Sequence, residues 1–300
     1  MRRSPLAFSF LGIAVTAILA ADPEYSREVR QWQEVNLPPE SDEYRRTAWF
    51  EAASFFSRSY EWRVIAEHDR VCAQLGSEPQ PIHRNRPEFS PKTGEFSTGP
   101  ETSFRRVEDG WLTGFNVGEF GAALYWFSRD GKQNYKISDH QVVDFFSGLD
   151  GVYAIEGLGH MGYSSGSVIR IARAEPGERW QASTVVELPD EPCTVSTRRD
   201  GTMFITSPHS IVAISRDRKV TTLLQDPWWY RPTSSVLSPD ERKLYIGMQY
   251  FVGEFDIPTK TLRLLVPSDN FLEPFRESEK RLREYEAKNN MRFYRRPPRK

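Results

Sequence analysis

Eight side chains of this 300-residue chain have types suited to a ligand site. Asn116, Glu119 and Glu156 carry the amide and carboxylate oxygens that a hard cation such as calcium takes. His160 follows closely and suits a general base. Together these four would make a metal-assisted hydrolase. His209 adds an imidazole, Trp228 and Trp229 offer aromatic faces that suit sugars or cations, and Arg231 could hold an anionic ligand. Each also has a plain structural role open to it. Glu119, after Gly118, could bond loop amides; His160 could be a satisfied buried imidazole; the tryptophans could cover a junction; Arg231 could pair with Asp226. What argues for a site is their convergence.

Other chemistry is excluded by context. Gly162-Tyr163-Ser164-Ser165-Gly166 matches the G-x-S-x-G pattern, which works when a strained strand-to-helix turn exposes the serine beside an oxyanion hole. Here the match falls in a hairpin loop between two strands, with no helix behind it, so no nucleophile is assigned. The chain has no H-E-x-x-H, phosphate-binding glycine loop or EF-hand loop. A formal net charge of −1 lacks the basic surplus of a nucleic-acid binder.

The elements that must position these residues repeat. Asp109-Gly110, Asp150-Gly151, Asp200-Gly201 and Asp240-Glu241 each precede a short apolar run, at intervals of 41, 50 and 40 residues. Each run is followed by a strand, a polar turn and a second strand rich in Val, Ile, Tyr, Phe and Thr. A further strand precedes each Asp turn, which makes four per unit. Four antiparallel strands every 40 to 50 residues is the pattern of a β-propeller. The expected fold is all-β, a propeller of about five blades: four legible units over 103–267 and a partial N-terminal blade. That partial blade is a hairpin of 62–66 and 71–75, with the ring closed by strands from both ends.

Strand order then separates two faces. With strands A to D running outward from the axis, the A–B and C–D turns share one face and look structural. The B–C loops and D–A connectors share the other. That second face carries Asn116, Glu119, Glu156, His160 and His209, together with His140, Asp226, Trp228, Trp229 and Arg231. Binding residues are often held on loops of a rigid scaffold, so this face is the expected site.

The chain divides into four parts. Residues 1–21 read as a signal peptide: Arg2 and Arg3, an apolar run, then Ala20 and Ala21. A short membrane anchor is the alternative. Export to the periplasm or beyond is therefore expected, with no membrane span after cleavage. In 22–102, Tyr44, Ala48, Ala52 and Phe55 recur at helical spacing behind a possible Ser41 cap, and 76–100 reads as a surface loop. After the units at 103–267, residues 268–300 form a charged extension that could be a solvated helix, ending in a basic tail. Cys72 and Cys193 could pair or stay as separate thiols; sequence leaves both open.

Within the units, residues 114–121 with Leu124-Tyr125-Trp126-Phe127, Glu156-Gly157-Leu158-Gly159-His160, and Tyr245-Ile246-Gly247-Met248 resemble a group of exported bacterial β-propellers to which no activity attaches. Ala122 and Ala123 stand where that group tends to have glycine. The repeats also resemble, at fold level, NHL, YVTN and SMP-30-like propellers. SMP-30-like propellers open lactones or esters with a metal held near the axis, an analogy only. The expected function is therefore an exported module binding a protein, peptide or glycan of the cell envelope on the loop face, without a cofactor. The alternative is a lactonase- or esterase-like hydrolase using a divalent cation. A structural envelope component tethered by its basic tail is a third expectation.

Overall fold

The computed structural model describes residues 28–38, 42, 44–49, 61–76, 86–99, 102–148, 150–225 and 232–289. The leader, Ser41, Ala52, Phe55, Asp226, Trp228, Trp229, Arg231 and the basic tail lie outside them. Strands β1 (Gln33–Glu34), β2 (Glu61–Glu67) and β3 (Arg70–Gly76) precede four units. The first holds β4 (Ser103–Val107), β5 (Gly110–Asn116), β6 (Ala122–Ser128) and β7 (Asn134–Ser138). The second holds β8 (Val142–Gly148), β9 (Gly151–His160), β10 (Tyr163–Ala172) and β11 (Gln181–Leu188). The third holds β12 (Thr194–Thr197), β13 (Met203–Thr206), β14 (Ser210–Ile214) and β15 (Val220–Gln225). The fourth holds β16 (Ser234–Leu237), β17 (Lys243–Gly247), β18 (Val252–Asp256) and β19 (Thr261–Val266). Each unit is an antiparallel sheet in chain order, and β1 adds a fifth strand to the last. The architecture is a propeller-like, all-β repeat.

Burial explains why these segments pair. Strand β5 is buried from Gly110 to Phe115, as a central strand covered on both faces must be, whereas the outer strands β7 and β15 hold no fully buried residue. Between the first two units lie Leu112, Leu124, Val142, Phe145, Ala154, Ile169 and Ile171. Ile155, Val168, Ile205, Val212 and Ile214 fill the next gap. Gly114 permits the close approach: a Cβ there would lie 2.6 Å from Val142 Cβ.

The turns carry a shared device. Ser128 Oγ donates to Asp130 Oδ1 at 2.7 Å, Ser238 Oγ to Asp240 Oδ1 at 2.5 Å, and Ser215 Oγ to Asp217 Oδ1. These hydroxyl bonds hold all three exposed carboxyls below the usual carboxylate range. Glu241 has φ of 56°, beside 90° for Gly201, so it fills the left-handed turn position that glycine takes in the third unit.

Inner strands pack in the sequence β4, β8, β12, β16 and β2. Among the described residues, no packing of similar extent joins β2 to β4. Instead Phe89 and Phe96 from 86–99 cover the free side of the first unit, against Phe127 and Phe115 at 6.0 and 5.5 Å between ring centroids. The segment read as a surface loop thus supplies core. At the other end, Glu28 bridges to Cys72, β1 pairs with β19, and Trp32 meets Trp62 edge-on at 4.7 Å. The N-terminal strand joins the outer edge of the last sheet.

Two α-helices complete the described residues. In α1 (44–49), Asp42 Oδ1 accepts from Arg45 N at 3.0 Å, the geometry of an N-cap. Helix α2 (Glu273–Asn289) is not the solvated element its charge suggested. Its Phe275, Ser278 and Leu282 form a buried stripe. Phe275 packs on Trp49 and Phe251, and Glu279 accepts from Trp49 Nε1 at 2.5 Å and Arg45 Nε at 2.9 Å. Neither helix is long and apolar enough to cross a membrane. Cys72 and Cys193 form no disulfide, and burial pushes the Cys72 thiol up.

Candidate functional site

The β5–β6 loop and the β9–β10 turn meet on the loop face across two units. Glu119, in a short 3-10 turn at Gly118–Phe120, reaches His160 at the end of β9, with 2.9 Å between Oε2 and Nε2. The two side chains are 45% and 44% exposed. Neither plain reading of these residues describes them: Glu119 bonds an imidazole rather than loop amides, and His160 is not buried.

The other expected members are used differently. Asn116 Oδ1 accepts from Gly118 N at 3.0 Å and Gln141 Nε2 at 2.9 Å, so it stitches the first unit to the second. Glu156 lies within β9, opposite Val142 and Ser167, rather than in a loop. It accepts from the buried Ser167 Oγ at 2.5 Å. Three strand residues separate it from His160, about 13 Å along an extended chain. Among the described residues no three His, Cys, Asp or Glu side chains gather as a metal group. His209 is exposed, and its backbone N–H donates to Asp190 Oδ2 at 3.0 Å.

Asp190 was not singled out from sequence. It is 5% exposed and receives Ser164 Oγ, Glu191 N and His209 N, tying the second unit to the third. Its place between Pro189 and Pro192 in a connector was the available signal. Ser164, the serine of the G-x-S-x-G match, is thereby a strand residue in β10 bonded to a connector. Only Gly162 of that match lies in the turn.

Sequence reasoning also missed the apolar surroundings of the Glu119–His160 pair. Val117, Phe120, Met161 and Tyr163 are 48%, 81%, 93% and 61% exposed. Met161 has φ of 47°, a turn position that Asn, Asp or Gly takes at lower cost. Helix α2 packs on the β17–β18 loop through Tyr250 and Phe251, so it covers the loop face over the fourth unit and leaves these four chains in solvent.

A further acid lies on the inner strand β8. A register shift between Val142 and Asp144 marks a bulge there. Burial pushes the Asp144 carboxyl up to about 6, against the opposing pull of the Phe145 N–H at 2.7 Å and the charge of Arg105. An aspartate interrupting Val142, Val143, Phe145 and Phe146 was the sequence signal.

No family model matches the chain, and no curated protein does. Solved structures with a distant, repeated-sheet likeness include a streptogramin B lyase, at 14% identity over 56% of this chain and 55% of that one, TM-score 0.39. A catalytically inactive virginiamycin B lyase from Staphylococcus aureus with quinupristin has 12% identity over 79% and 75%, TM-score 0.40. A gluconolactonase from Xanthomonas campestris has 11% identity over 54% and 55%, TM-score 0.36. The chain thus spans about half the length of the first and third of these. NHL, YVTN or SMP-30-like membership is not shown, and the activities named belong to those proteins.

Proposed function

We propose that the chain is an exported, five-bladed propeller whose loop face opens esters or lactones by acid–base chemistry, with His160 handling the proton and Glu119 orienting it. The observation that carries this reading is the 2.9 Å contact between His160 Nε2 and Glu119 Oε2, formed across two units at a solvent-facing position. A carboxylate at Nε2 favours the tautomer with its proton there, so Nδ1 remains as the proton acceptor. This is the base-and-orienter arrangement of a general base. Nδ1 would take a proton from water as its oxygen adds to the carbonyl carbon. The imidazolium would then return that proton to the departing alkoxide. No step is routed through a cation. Export rests on the leader grammar of 1–21, and five blades rest on four units plus the β2–β3 hairpin.

The test is hydrolysis of a panel of lactones and aryl esters. His160→Asn should cost at least about 100-fold in kcat/KM, and Glu119→Gln less. Wild-type rates in His160→Asn would sink the reading.

One observation favours a second reading, recognition of a protein, peptide or glycan on the same face. Four exposed apolar chains surround the pair, and one of them occupies a left-handed turn position. Capture of an envelope partner that survives His160→Asn but not Phe120→Ser would favour recognition.

A further inference from the structure

On the opposite face, where the turns look structural, a cleft of about 580 Å³ opens between the rims of the first and second units. Its size falls within the range of small-ligand sites. Its walls include Trp126, Lys132, Gln133, Asn134, Tyr135 and Arg179.

Two guanidiniums border it, and their partners differ. Arg173 lies over Trp180 at 4.5 Å and pairs with Glu108 at 2.9 Å and with Asp109, so its charge is met from within. Arg179 lies over the Tyr135 ring at 4.9 Å, and no carboxylate pairs with it among the described residues. The platform beneath Arg179 is fixed. Tyr135 stacks on Trp126 at 5.1 Å, and its hydroxyl accepts from Trp180 N at 2.8 Å. Arg179 is therefore a preorganised cation whose N–H groups lack an internal acid.

We infer that this cleft binds an acidic sugar, a uronate unit of an oligosaccharide, with the carboxylate on Arg179 and the hydroxyls on Gln133 and Asn134. The lining separates this ligand from a bare anion. A phosphate offers acceptors almost alone and leaves the Glu178 carboxylate, which also lines the cleft, without a donor. Sugar hydroxyls donate as well as accept, so side-chain amides and carboxylates both suit them. The polar walls give an apolar ligand little to bury against.

Titration calorimetry of the purified full chain with trigalacturonate tests the assignment, with its methyl ester and inorganic phosphate as the other arms. Trigalacturonate should bind wild type at least about tenfold more tightly than either. Arg179→Ala should lose about tenfold, and Arg179→Lys should recover part of it. Circular dichroism should show both variants folded, since Arg179 is exposed. Absence of trigalacturonate binding at millimolar concentration, equal binding of the methyl ester, tighter binding of phosphate, or an unchanged Arg179→Ala would each overturn it.

Discussion

Replacing Asp144 by Asn should stabilise the protein, and the gain should depend on pH in a set direction. The folded chain keeps this carboxyl protonated up to about pH 6, whereas an unfolded aspartate ionises near 3.8. Its contribution therefore turns against folding as pH rises through that window, and stays unfavourable above it. A shift of this size corresponds to at most about 3 kcal/mol. Partial solvent access at the inner strand reduces that, so about 1–3 kcal/mol is expected. Asn keeps an oxygen for the Phe145 N–H, which leaves the bulge its internal hydrogen bond. Urea unfolding at pH 4 and pH 7.5 is the assay. The variant and wild type should nearly coincide at the lower pH and separate at the higher one. In thermal melts the same gain would be worth roughly 2–4 °C per kcal/mol. A variant that is less stable at pH 7.5 than at pH 4, relative to wild type, would refute the reasoning. It would show Arg105 stabilising the charge by more than burial costs it.

Gly247→Ala should cost about 3 kcal/mol in denaturant unfolding. Its Cβ would sit 2.2 Å from the Trp62 carbonyl oxygen, where backbone must move; a cost under about 0.5 kcal/mol would show the hairpin free to give way. Glu279→Ala withdraws an acceptor from Trp49 and Arg45, so α2 should be cut faster by protease while the sheets hold; an unchanged cleavage rate would count against its docking role. Reductant should leave Tm within about 1 °C, since Cys72 and Cys193 are unbridged, and a fall of several degrees would reveal a bond.

The four units were legible because each announces itself locally. An Asp turn, a β-branched run and a second polar turn need no knowledge of distant residues. Glu241 shows how firm that signal is, since it keeps the turn geometry without the glycine. What escaped depends on partners far along the chain. Gln33 and Glu34 are polar and only two residues long, and they become a strand because the edge of β19 is open to them. Phe89 and Phe96 sit among prolines and serines, which read as loop; their burial is decided by an uncovered face of the first unit. Gly157 and Gly159 lie in the stretch read as a B–C loop, yet they belong to β9, and a Cβ at Gly157 would meet Pro192 Cδ at 2.8 Å. At the site, strand order put Glu119 and His160 on one face, but it could not tell that Asn116 and Glu156 would be engaged by Gln141 and Ser167. Exposure of Phe120 and Met161 likewise depends on what covers them, which no local pattern reports.

The strap at the start of the chain also bears on when folding finishes. Gln33 pairs with Val266, so one of the earliest strands made must wait for one of the last. The units between can collapse one after another on nearest-neighbour contacts, but the outer edge of the final sheet stays unpaired until the two ends meet. Closing so long a loop costs little more free energy than closing a shorter one, because the penalty grows only with the logarithm of length. The kinetic cost is larger, since pairings of high sequence separation form slowly. Until Val266 has been made, then, β1 keeps an open valence, and the ordered edge appears only after that point of synthesis.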